Sequence, residues 1–533
     1  MSSPAEAVLT ERNRSYGLAA LFLVLTAALS LVWSHNRLMW NDEFLSFYGD
    51  SAPSVAAVVG VQLHYPISLD PPAYHVLSHL SMDLIGRNAM ALRLPALAGF
   101  LLLQISLFFF VKRLAGSRAA VVALALPLLT ASFRYSVEGR PYGLLLGLYA
   151  LALVCWQDAG RMNAGRRRIL PLTGLTVAIA LAISSHYFGV LILVPVCMGE
   201  LARSIERRRL DFGVLLALAL GVMSIGLILP FRKALMVYRQ HYYITGVNWH
   251  DITQGYRELF VNYTTWPMPL QKAAAGALAL ATIALAVAGY RRFKRRKPAE
   301  PACEWVALIG MALLPFFGYL FGRFVTHTME VRYVIAALIA FAATWAIVLE
   351  AKLRRDSFYY AMLAVILVAA LVLNGTHIAQ ERRDTRTMLA SFQMSPTAAD
   401  ALRKDPTKRV YIQSLSDFFL NTYYVPQADL RSRFSLVYGQ AEEIRWLAHD
   451  TRYVTAINMQ HLAPLSVTSY QSLLQERDPL VLLYDSSWEW MDKDIAAKQL
   501  PVTFYGDCMR GKLGRVGTVP GSAAGSVRIN RPQ

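Results

Sequence analysis

Two adjacent carboxylates near the start of the chain are the strongest candidates for chemistry. Asp42 and Glu43 stand in the segment Trp40-Asn-Asp-Glu-Phe44, directly after an apolar run. A carboxylate held at a membrane surface can take a proton from a hydroxyl group as a general base, with a second acid beside it. The same residues also suit the start of a helix, where Asn or Asp acts as the N-cap ahead of Glu-Phe-Leu. The spacing alone leaves both interpretations open.

A short segment further along the chain holds the densest group of charges. Arg134, Glu138 and Arg140 bracket a tight connection between two apolar runs. An internal Arg–Glu pair, with Arg134 extended toward the membrane surface, is one explanation. The alternative is that Arg140 holds a lipid phosphate through a bidentate, charge-assisted contact.

The segment Leu69-Asp70-Pro71-Pro72 breaks the chain ahead of an apolar pattern with helical spacing, from Tyr74 to Ile85. The proline pair suits the first turn of a helix. The pattern predicts an amphipathic helix that lies in the membrane interface. The segment is either a structural turn or the floor of a cavity.

Three more polar clusters follow separate apolar runs. Each could be an interfacial histidine or an aromatic belt with headgroup contacts, or could line a site. The clusters are His186-Tyr187, the basic and aromatic stretch that holds Lys233 and Arg239, and Arg332-Tyr333.

The elements that must position these residues are apolar runs of the length that crosses a bilayer, about 17–25 residues. If the N-terminus is inside, every Lys- and Arg-rich loop falls on that side, as cytoplasmic loops require. We therefore predict eleven membrane-spanning helices, with a cytoplasmic N-terminus and the first span an uncleaved anchor. The spans lie near residues 17–34, 90–111, 118–133, 142–157, 169–185, 187–202, 212–230, 269–290, 304–322, 333–350 and 357–374.

This topology places all the polar clusters on the external face. The external segments are loop 35–89, the short connection at 134–141, loop 231–268 and the C-terminal part. Because the clusters come from separate helices and share one face, a water-accessible cavity is favoured over unrelated belts. Loop residues from a mainly α, polytopic membrane domain, 1–375, would build it.

The C-terminal part, 376–533, predicts a separate external α/β domain. Its β-type and helix-like runs alternate, which is typical of a small α/β unit. The β-type runs are 409–413, 479–484 and 501–505, and the helix-like runs are 417–424, 467–475 and 488–498.

Composition agrees with a membrane protein. Of 533 residues, 55% are hydrophobic and only 17% charged, with a mean hydropathy of +0.36. Soluble proteins carry roughly 25% charged residues. Disordered, collagen-like and disulfide-rich classes are excluded. The net charge of +18 resides in short runs between apolar stretches, so we expect membrane lipids as partners and no nucleic acid.

Other catalytic signatures are missing from the sequence. It has no Walker loop, no G-x-S-x-G elbow and no H-E-x-x-H motif. The histidines are scattered, so ligand spacing does not support a divalent metal ion and no cofactor is firmly predicted. The four cysteines predict no structural disulfide.

Taken together, six stretches resemble integral-membrane glycosyltransferases of the GT-C fold. The sequence is similar to the bacterial branch related to protein O-mannosyltransferases and to lipid A aminoarabinose or galacturonic acid transferases. The resemblance covers roughly residues 10–375. The stretches are Trp40-x-Asp42-Glu43, Pro71-Pro-x-Tyr74, Ala91–Gly99, Tyr135–Tyr142, His186–Gly189 and Arg332-Tyr333.

The resemblance implies transfer of a sugar from a polyprenyl-phosphate-linked donor to a hydroxyl group on the outer face of the inner membrane. The acceptor would be a glycan, a lipid or a protein. Asp42 would be the general base, with inversion at the sugar carbon, and Glu43 would assist or position the acceptor. Arg140 and Arg332, with Lys233 or Arg239, would face the donor phosphate. The residues that would line the sugar and acceptor sites are Tyr74, Glu138, Tyr142, His186, Tyr187 and Tyr333.

One position departs from the aminoarabinose transferases. There a Lys precedes the Pro-Pro pair and reaches the lipid phosphate, with a Glu before it. Here those positions hold Asp70 and Leu69. An acidic residue cannot replace the cation, so a phosphate contact or a metal site at this point is disfavoured. Aminoarabinose transfer to lipid A is accordingly less favoured than another sugar or acceptor.

Two other classes of protein stay open. The chain could be a transporter or flippase of lipid-linked sugars, or a non-catalytic protein of envelope polysaccharide assembly. Transporters tend to hold ionisable groups near the membrane midplane. The charges of this sequence lie at helix ends, which favours an interfacial enzyme.

Overall fold

The computed structural model describes residues 4–162, 165–232, 246–260, 302–462, 464–484 and 489–517, with single positions between 236 and 294. Most of these residues are helical, as the mainly α prediction requires. The predicted span at 269–290 lies outside the described residues, and so do Lys233 and Arg239.

Long apolar helices follow the predicted spans. The side chains of each helix are apolar enough to face lipid or a neighbouring helix, while its backbone N–H and C=O groups hydrogen-bond within the helix. The helices of this part are α1 Pro4–His35, α2 Asn41–Asp50, α3 Val55–His64, α4 Pro72–Ile85, α5 Ala89–Ala125, α6 Tyr142–Arg161, α7 Arg166–Ser185, α8 Leu193–Arg207, α9 Phe212–Val222, α10 Ile225–Ile228, α11 His250–Phe260, α12 Cys303–Ala312, α13 Leu314–Phe321, α14 Leu338–Val348, α15 Glu350–Leu353 and α16 Asp356–Ala390.

Helix α5 reverses its direction at Gly116, whose φ of 79° favours glycine. Gln104 Nε2 donates to the carbonyl of Leu124 over 3.1 Å. A straight helix would separate these residues by about 30 Å. The runs predicted at 90–111 and 118–133 are the two arms of this hairpin, and 3₁₀ turns at Leu126–Leu129 and Ala131–Val137 continue the second arm.

By length and composition, seven helices among the described residues can cross a membrane, counting the α5 hairpin once. The number is eight if the pair Cys303–Ala312 and Leu314–Thr326, bent by 53°, forms one span. The apolar helix Ile335–Val348 is shorter. The protein is therefore a multi-pass membrane protein, and the count of eleven stays a prediction.

The basic residues of the predicted inner loops gather at one end of the bundle. Arg118 contacts Asp356 at 2.6 Å. Arg113 contacts Asp158 at 2.6 Å, and Nη2 of Arg161 donates to the carboxylate of Glu304 on α12 over 2.9 Å. The polar clusters of interest lie at the opposite end, after α1 and between α5 and α6.

Three short helices, α2 to α4, follow α1 at that opposite end. Helix α4 starts at Pro72 and ends at Ile85, so the amphipathic helix predicted there is confirmed. Leu84 and Ile85 are strongly exposed while Tyr74 and His75 are buried. A helix that exposes apolar side chains and buries others against the protein suits a position at the membrane surface.

The C-terminal part contains a six-stranded sheet of order β3-β2-β1-β4-β6-β5. The first four strands pair in parallel, and β6 is antiparallel to both β4 and β5. Buried apolar residues on these strands and on the surrounding helices form its core. The strands are β1 Val410–Ile412, β2 Phe434–Tyr438, β3 Val467–Ser469, β4 Leu480–Leu483, β5 Val502–Cys508 and β6 Gly511–Val516.

Helices connect these strands and cover the sheet. The expected α/β alternation is present, but the run 467–475 is not one helix: β3 ends at Ser469, whose hydroxyl caps the helix that follows. The sequence analysis missed β2 and β6. The helices are α17 Pro396–Lys404, α18 Leu415–Tyr424, α19 Ala428–Arg431, α20 Gln440–Leu447, α21 Thr451–Met459, α22 Tyr470–Gln475 and α23 Met491–Ala497.

Helix α18 of the sheet unit packs directly on α2, the helix that carries Asp42 and Glu43. Phe44 stacks on Phe419 with ring centroids 5.2 Å apart. The backbone N–H of Met39 donates to the Tyr424 hydroxyl over 2.9 Å. Helix α16 reaches toward this unit without a break at 375, because its apolar residues give way to polar ones that also form helix.

Candidate functional site

Asp42 lies in the first turn of α2 with its side chain 23% exposed. Its Oδ2 is 3.9 Å from Nη2 of Arg332. That separation leaves the carboxylate electrostatically stabilised and still open to a further partner. The helix start expected from the sequence is present, but its N-cap is Trp40 rather than Asn41 or Asp42. The role of Asp42 as a general base stays a prediction.

Glu43, the next residue, is fully buried and fully paired. Nε and Nη2 of Arg93 each donate to it over 2.7 Å, one to each carboxylate oxygen. The backbone N–H of Gly139 donates to Oε1 over 2.6 Å and that of Trp40 to Oε2 over 3.4 Å. Burial raises the pKa of Glu43, but the charge and hydrogen bonds of Arg93 lower it further, so the net pKa lies below its usual value.

These contacts hold four separate segments together. Arg93 comes from α5 and also donates to the carbonyl of Ser34 at the end of α1, over 2.8 Å. Gly139 comes from the connection before α6. A Cβ at Gly139 would lie 2.7 Å from the Leu92 side chain, so the close approach needs glycine. We call Glu43, Arg93 and Gly139 the Glu43 wall.

The wall changes the interpretation of Glu43. All four acceptor positions of its carboxylate are occupied by protein donors, and none faces solvent. Held in this way, the Glu43 carboxylate is closed to a substrate, so the structure does not place it where it could assist Asp42 or position the acceptor as the resemblance implied. Arg93 stood in the resembling stretch Ala91–Gly99 without a predicted role; a lone arginine in an apolar run near an acid was the available signal.

Arg332 faces Asp42 from the 3₁₀ turn Val331–Tyr333. Its guanidinium carbon lies 5.5 Å from the ring centre of Tyr142 and 5.9 Å from that of Trp40. Aromatic faces stabilise a cation at such distances. The side chain is 27% exposed, so it can meet an anion without first breaking a close ion pair. We call Asp42, Arg332, Trp40, Tyr142 and Tyr333 the Asp42 face.

Arg140, expected at the donor phosphate, is 7% exposed and already paired. Its Nη2 lies 2.6 Å from Asp70 Oδ2, and its Nη1 donates to Ser68 over 2.9 Å. Burial lowers the pKa of Arg140, but Asp70 and Tyr142 raise it more, so the net pKa lies above its usual value. Asp70, the departure noted in the sequence, thus supplies the partner of Arg140.

His186 connects this pair with the aromatic residues of the Asp42 face. Its Nε2 lies 3.7 Å from Asp70, and its ring centre lies 4.6 Å from that of Tyr333. Its Nδ1 accepts from the backbone N–H of Phe188 over 3.2 Å. Burial lowers the pKa of His186 to about 4 despite the opposing charge of Asp70, so the imidazole is neutral at pH 7.

Glu138 points to the other side of its segment. It is buried, 3.6 Å from Arg134 and 4.0 Å from Arg37. Burial raises the pKa of Glu138, with Arg37 and Arg134 opposing. Of the other predicted lining residues, Tyr74 is buried, its hydroxyl 3.4 Å from the carbonyl of Leu92, and Tyr187 is half-buried.

The structure therefore brings Asp42, Arg332, Tyr142, Tyr333, His186 and Arg140 to one end of the bundle, as predicted. Lys233 and Arg239 lie outside the described residues. Within the described ranges, no three His, Cys, Asp or Glu side chains come together as a metal site would require.

The sequence and fold have known counterparts. A family model for dolichyl-phosphate-mannose-protein mannosyltransferase matches residues 70–230. The crystal structure of ArnT from Cupriavidus metallidurans in the apo state is similar, with a TM-score of 0.57 at 15% identity over 93% of this chain and 98% of ArnT. No curated protein matches the sequence.

The same ArnT bound to undecaprenyl phosphate is also similar, with a TM-score of 0.61 at 15% identity over 96% of this chain and 99% of that one. The likeness spans both the helical bundle and the C-terminal part. The chain thus has the GT-C fold, as the resemblance implied.

Proposed function

We propose that this protein is a membrane glycosyltransferase that moves a sugar from a polyprenyl-phosphate-linked donor to a hydroxyl acceptor at the external face of the membrane. The observation that carries the proposal is the Asp42 face: an accessible carboxylate and an accessible guanidinium, 3.9 Å apart at the end of a GT-C bundle. The family match over residues 70–230 and the undecaprenyl phosphate bound by ArnT support the donor class.

In the reaction, Asp42 accepts the proton of the acceptor hydroxyl. The hydroxyl oxygen forms a bond to the anomeric carbon of the sugar, and the bond between that carbon and the phosphate oxygen breaks. The phosphate leaves with the electron pair, and the sugar carbon inverts in this single displacement. A positioned general base contributes roughly 10²–10⁴-fold to such a step.

Arg332 is the group best placed to stabilise the leaving phosphate. Fixed positive charge aimed at developing negative charge is usually a large catalytic term. Arg332 is partly exposed, and its ion pair among the described residues is the 3.9 Å contact with Asp42, whereas Arg140 is buried and held by Asp70 at 2.6 Å. We therefore assign Arg332 to the phosphate and Arg140 to ordering Asp70 and His186. Lys233 and Arg239 remain candidates for further phosphate contacts.

The sugar would lie against the aromatic residues of the Asp42 face. Tyr142 and Tyr333 present stacked rings 6.1 Å apart, and His186 packs beside them. Because its Nδ1 accepts from the Phe188 N–H, the neutral imidazole carries its proton on Nε2 and can donate a hydrogen bond to a sugar hydroxyl without adding charge. Tyr74 and Tyr187 are assigned to the surroundings of the sugar site. Glu138 is assigned to the side of the connection before α6 that faces away from this site.

The charge pattern disfavours transport of lipid-linked sugars and a purely structural role in polysaccharide assembly. The ion pairs described above lie at the two ends of the bundle rather than midway along the spans. A purely structural protein would also not need an accessible carboxylate beside an accessible arginine. Both alternatives predict that neutralising Asp42 has little effect.

The test is genetic and chemical. Cells lacking the gene are complemented with wild type, Asp42→Asn or the matched control Asp384→Asn, an exposed position of α16. Mass spectrometry then measures lipid-linked sugars and envelope glycans. We expect wild type and the control to restore a glycan that D42N does not, with accumulation of the lipid-linked donor. Glycans restored equally by D42N would overturn the proposal.

A further inference from the structure

A polar cavity lies at the same end of the bundle as the Asp42 face, beside the connection before α6. Trp33 of α1, Phe133 and Arg134 of the 3₁₀ turn, and Asn374 and His377 of α16 line it. It is open to the surface. None of these residues belongs to the Glu43 wall or the Asp42 face.

Helix geometry fixes the depth of this cavity. Helix α16 begins at Asp356, which contacts Arg118 at the predicted inner end. Asn374 follows eighteen residues later, a rise of about 27 Å, close to the thickness of a bilayer core. The cavity therefore opens at the level of the outer headgroups.

Two side chains that line the cavity, Trp33 and Arg134, carry hydrogen-bond donors that could meet a ligand. Trp33 is 4% exposed, and its indole N–H has no acceptor among the described residues. Arg134 is 46% exposed, and its nearest described carboxylate, Glu138, is 3.6 Å away and shared with Arg37. The amide nitrogen of Asn374 is already used by the carbonyl of Leu128. An unpaired buried donor beside a half-exposed arginine calls for an anion.

The apolar side chains around the cavity suit a lipid as its ligand. The apolar side chains Leu128, Phe133 and Leu373 complete the lining. On the same helix as Leu373, Leu371 and Val372 are exposed and would face hydrocarbon. Arginine outside the membrane runs against the usual distribution of charge. Because Arg134 shares the carboxylate of Glu138 with Arg37, two cations face one anion there, and Arg134 can take a second anionic partner.

We propose that this cavity binds the phosphate headgroup of an anionic lipid of the outer leaflet, with Arg134 and the Trp33 indole N–H as its donors. The bound lipid would be distinct from the sugar donor, whose phosphate is assigned to Arg332. Arg134 pairs with Glu138, whereas Arg332 faces Asp42 and Tyr142.

The experiment uses the full chain in nanodiscs of phosphatidylcholine with a minor fraction of phosphatidylglycerol. Native mass spectrometry counts the phosphatidylglycerol retained on the protein. We expect wild type to retain phosphatidylglycerol well above its bulk fraction in the nanodisc. The enrichment should be about tenfold lower for Arg134→Gln and a few-fold lower for Trp33→Phe. The matched control is Arg382→Gln, an exposed arginine of α16 on the same side, which should retain the lipid.

Two results would overturn the proposal: equal retention by wild type and R134Q, or equal loss in R134Q and R382Q, which would indicate unspecific attraction. Added undecaprenyl phosphate identifies the source of the phosphate. Displacement of phosphatidylglycerol from wild type, but not from R134Q, supports the site with a polyprenyl lipid as its occupant, and resistance supports it with a diacyl lipid. Arg332→Gln should strongly lower transfer and leave this lipid binding intact, which separates the proposal from the proposed function.

Discussion

The Glu43 wall and the Asp42 face come from adjacent residues and lie in opposite surroundings. Glu43 is fully buried with its oxygens held by Arg93 at 2.7 Å, whereas Asp42 is 23% exposed with Arg332 at 3.9 Å. Breaking a buried pair leaves an uncompensated charge, while a loose exposed pair contributes little to stability. The comparison teaches that one carboxylate serves the fold and the other is free to serve chemistry.

Glu43→Ala is the change with the largest expected effect, because it leaves the Arg93 guanidinium buried without its carboxylate. Loss of one member of a buried pair costs about 3–5 kcal/mol. Thermal unfolding of the purified protein in detergent should show a much lower Tm for E43A than for D42N. Equal Tm values for the two variants would end the distinction between wall and face.

Arg332→Gln tests the Asp42 face from its other side. Removing a positioned charge at a leaving group costs roughly 10²–10³ in rate, so transfer should fall by that factor while Tm stays near wild type. Arg332→Lys, which keeps the charge but not the planar fork, should recover part of the rate. Initial rates with lipid-linked sugars from host membranes measure both variants. A wild-type rate in R332Q would remove this residue from the reaction.

His186 predicts a pH dependence of stability. Its pKa is lowered by burial to about 4 in the folded protein, against roughly 6.5 in an unfolded chain. Between these values the unfolded chain binds a proton that the folded protein does not, so stability falls as pH drops, by up to about 1.4 kcal/mol per pH unit.

Tm measured from pH 7.5 to 4.5 checks this slope. His186→Gln removes the titrating group, so its Tm should decline less steeply than that of wild type. Parallel curves for the two proteins would show that His186 is not held neutral by its surroundings, and would place it nearer to solvent than Asp70 and Tyr333 indicate.

Tyr424→Phe has the smallest expected effect. It removes the hydroxyl that accepts the Met39 N–H just before α2, at a cost of about 1 kcal/mol. Tm should fall slightly and transfer a few-fold, because the helix that carries Asp42 loses one contact with the sheet unit. The matched control is Tyr423→Phe, whose ring packs on Phe47 of the same helix. Equal behaviour of both variants would refute a specific role for this hydroxyl.

The sequence was sufficient to predict which residues lie at the site, but not how the buried charges around it are paired. Asp42, Tyr142, His186 and Arg332 could be found because each follows an apolar run, and sidedness put them on one face. Helix α4 and the hairpin arms of α5 were also predictable from periodicity and basic turns. These signals are local, and apolar length and charge position suffice to read them.

The pairing of charges could not be predicted, because it depends on contacts between distant segments. Arg93 meets Glu43 across fifty residues, and Asp70 meets Arg140 only after the loop and the connection fold together. Neither residue type nor spacing indicates that Glu43 is buried and paired while Asp42 stays partly exposed. In the sheet unit, β2 was missed because its short apolar run gave no period to separate strand from helix.

The initial transfer rate of purified Asp42→Asn with the lipid-linked donor present, measured alongside Tm and donor binding, tests the role of Asp42 as the base. We expect a rate lowered by roughly 10²–10⁴-fold, with Tm and donor binding close to those of wild type. A D42N protein that folds, binds the donor and transfers sugar at the wild-type rate would contradict it.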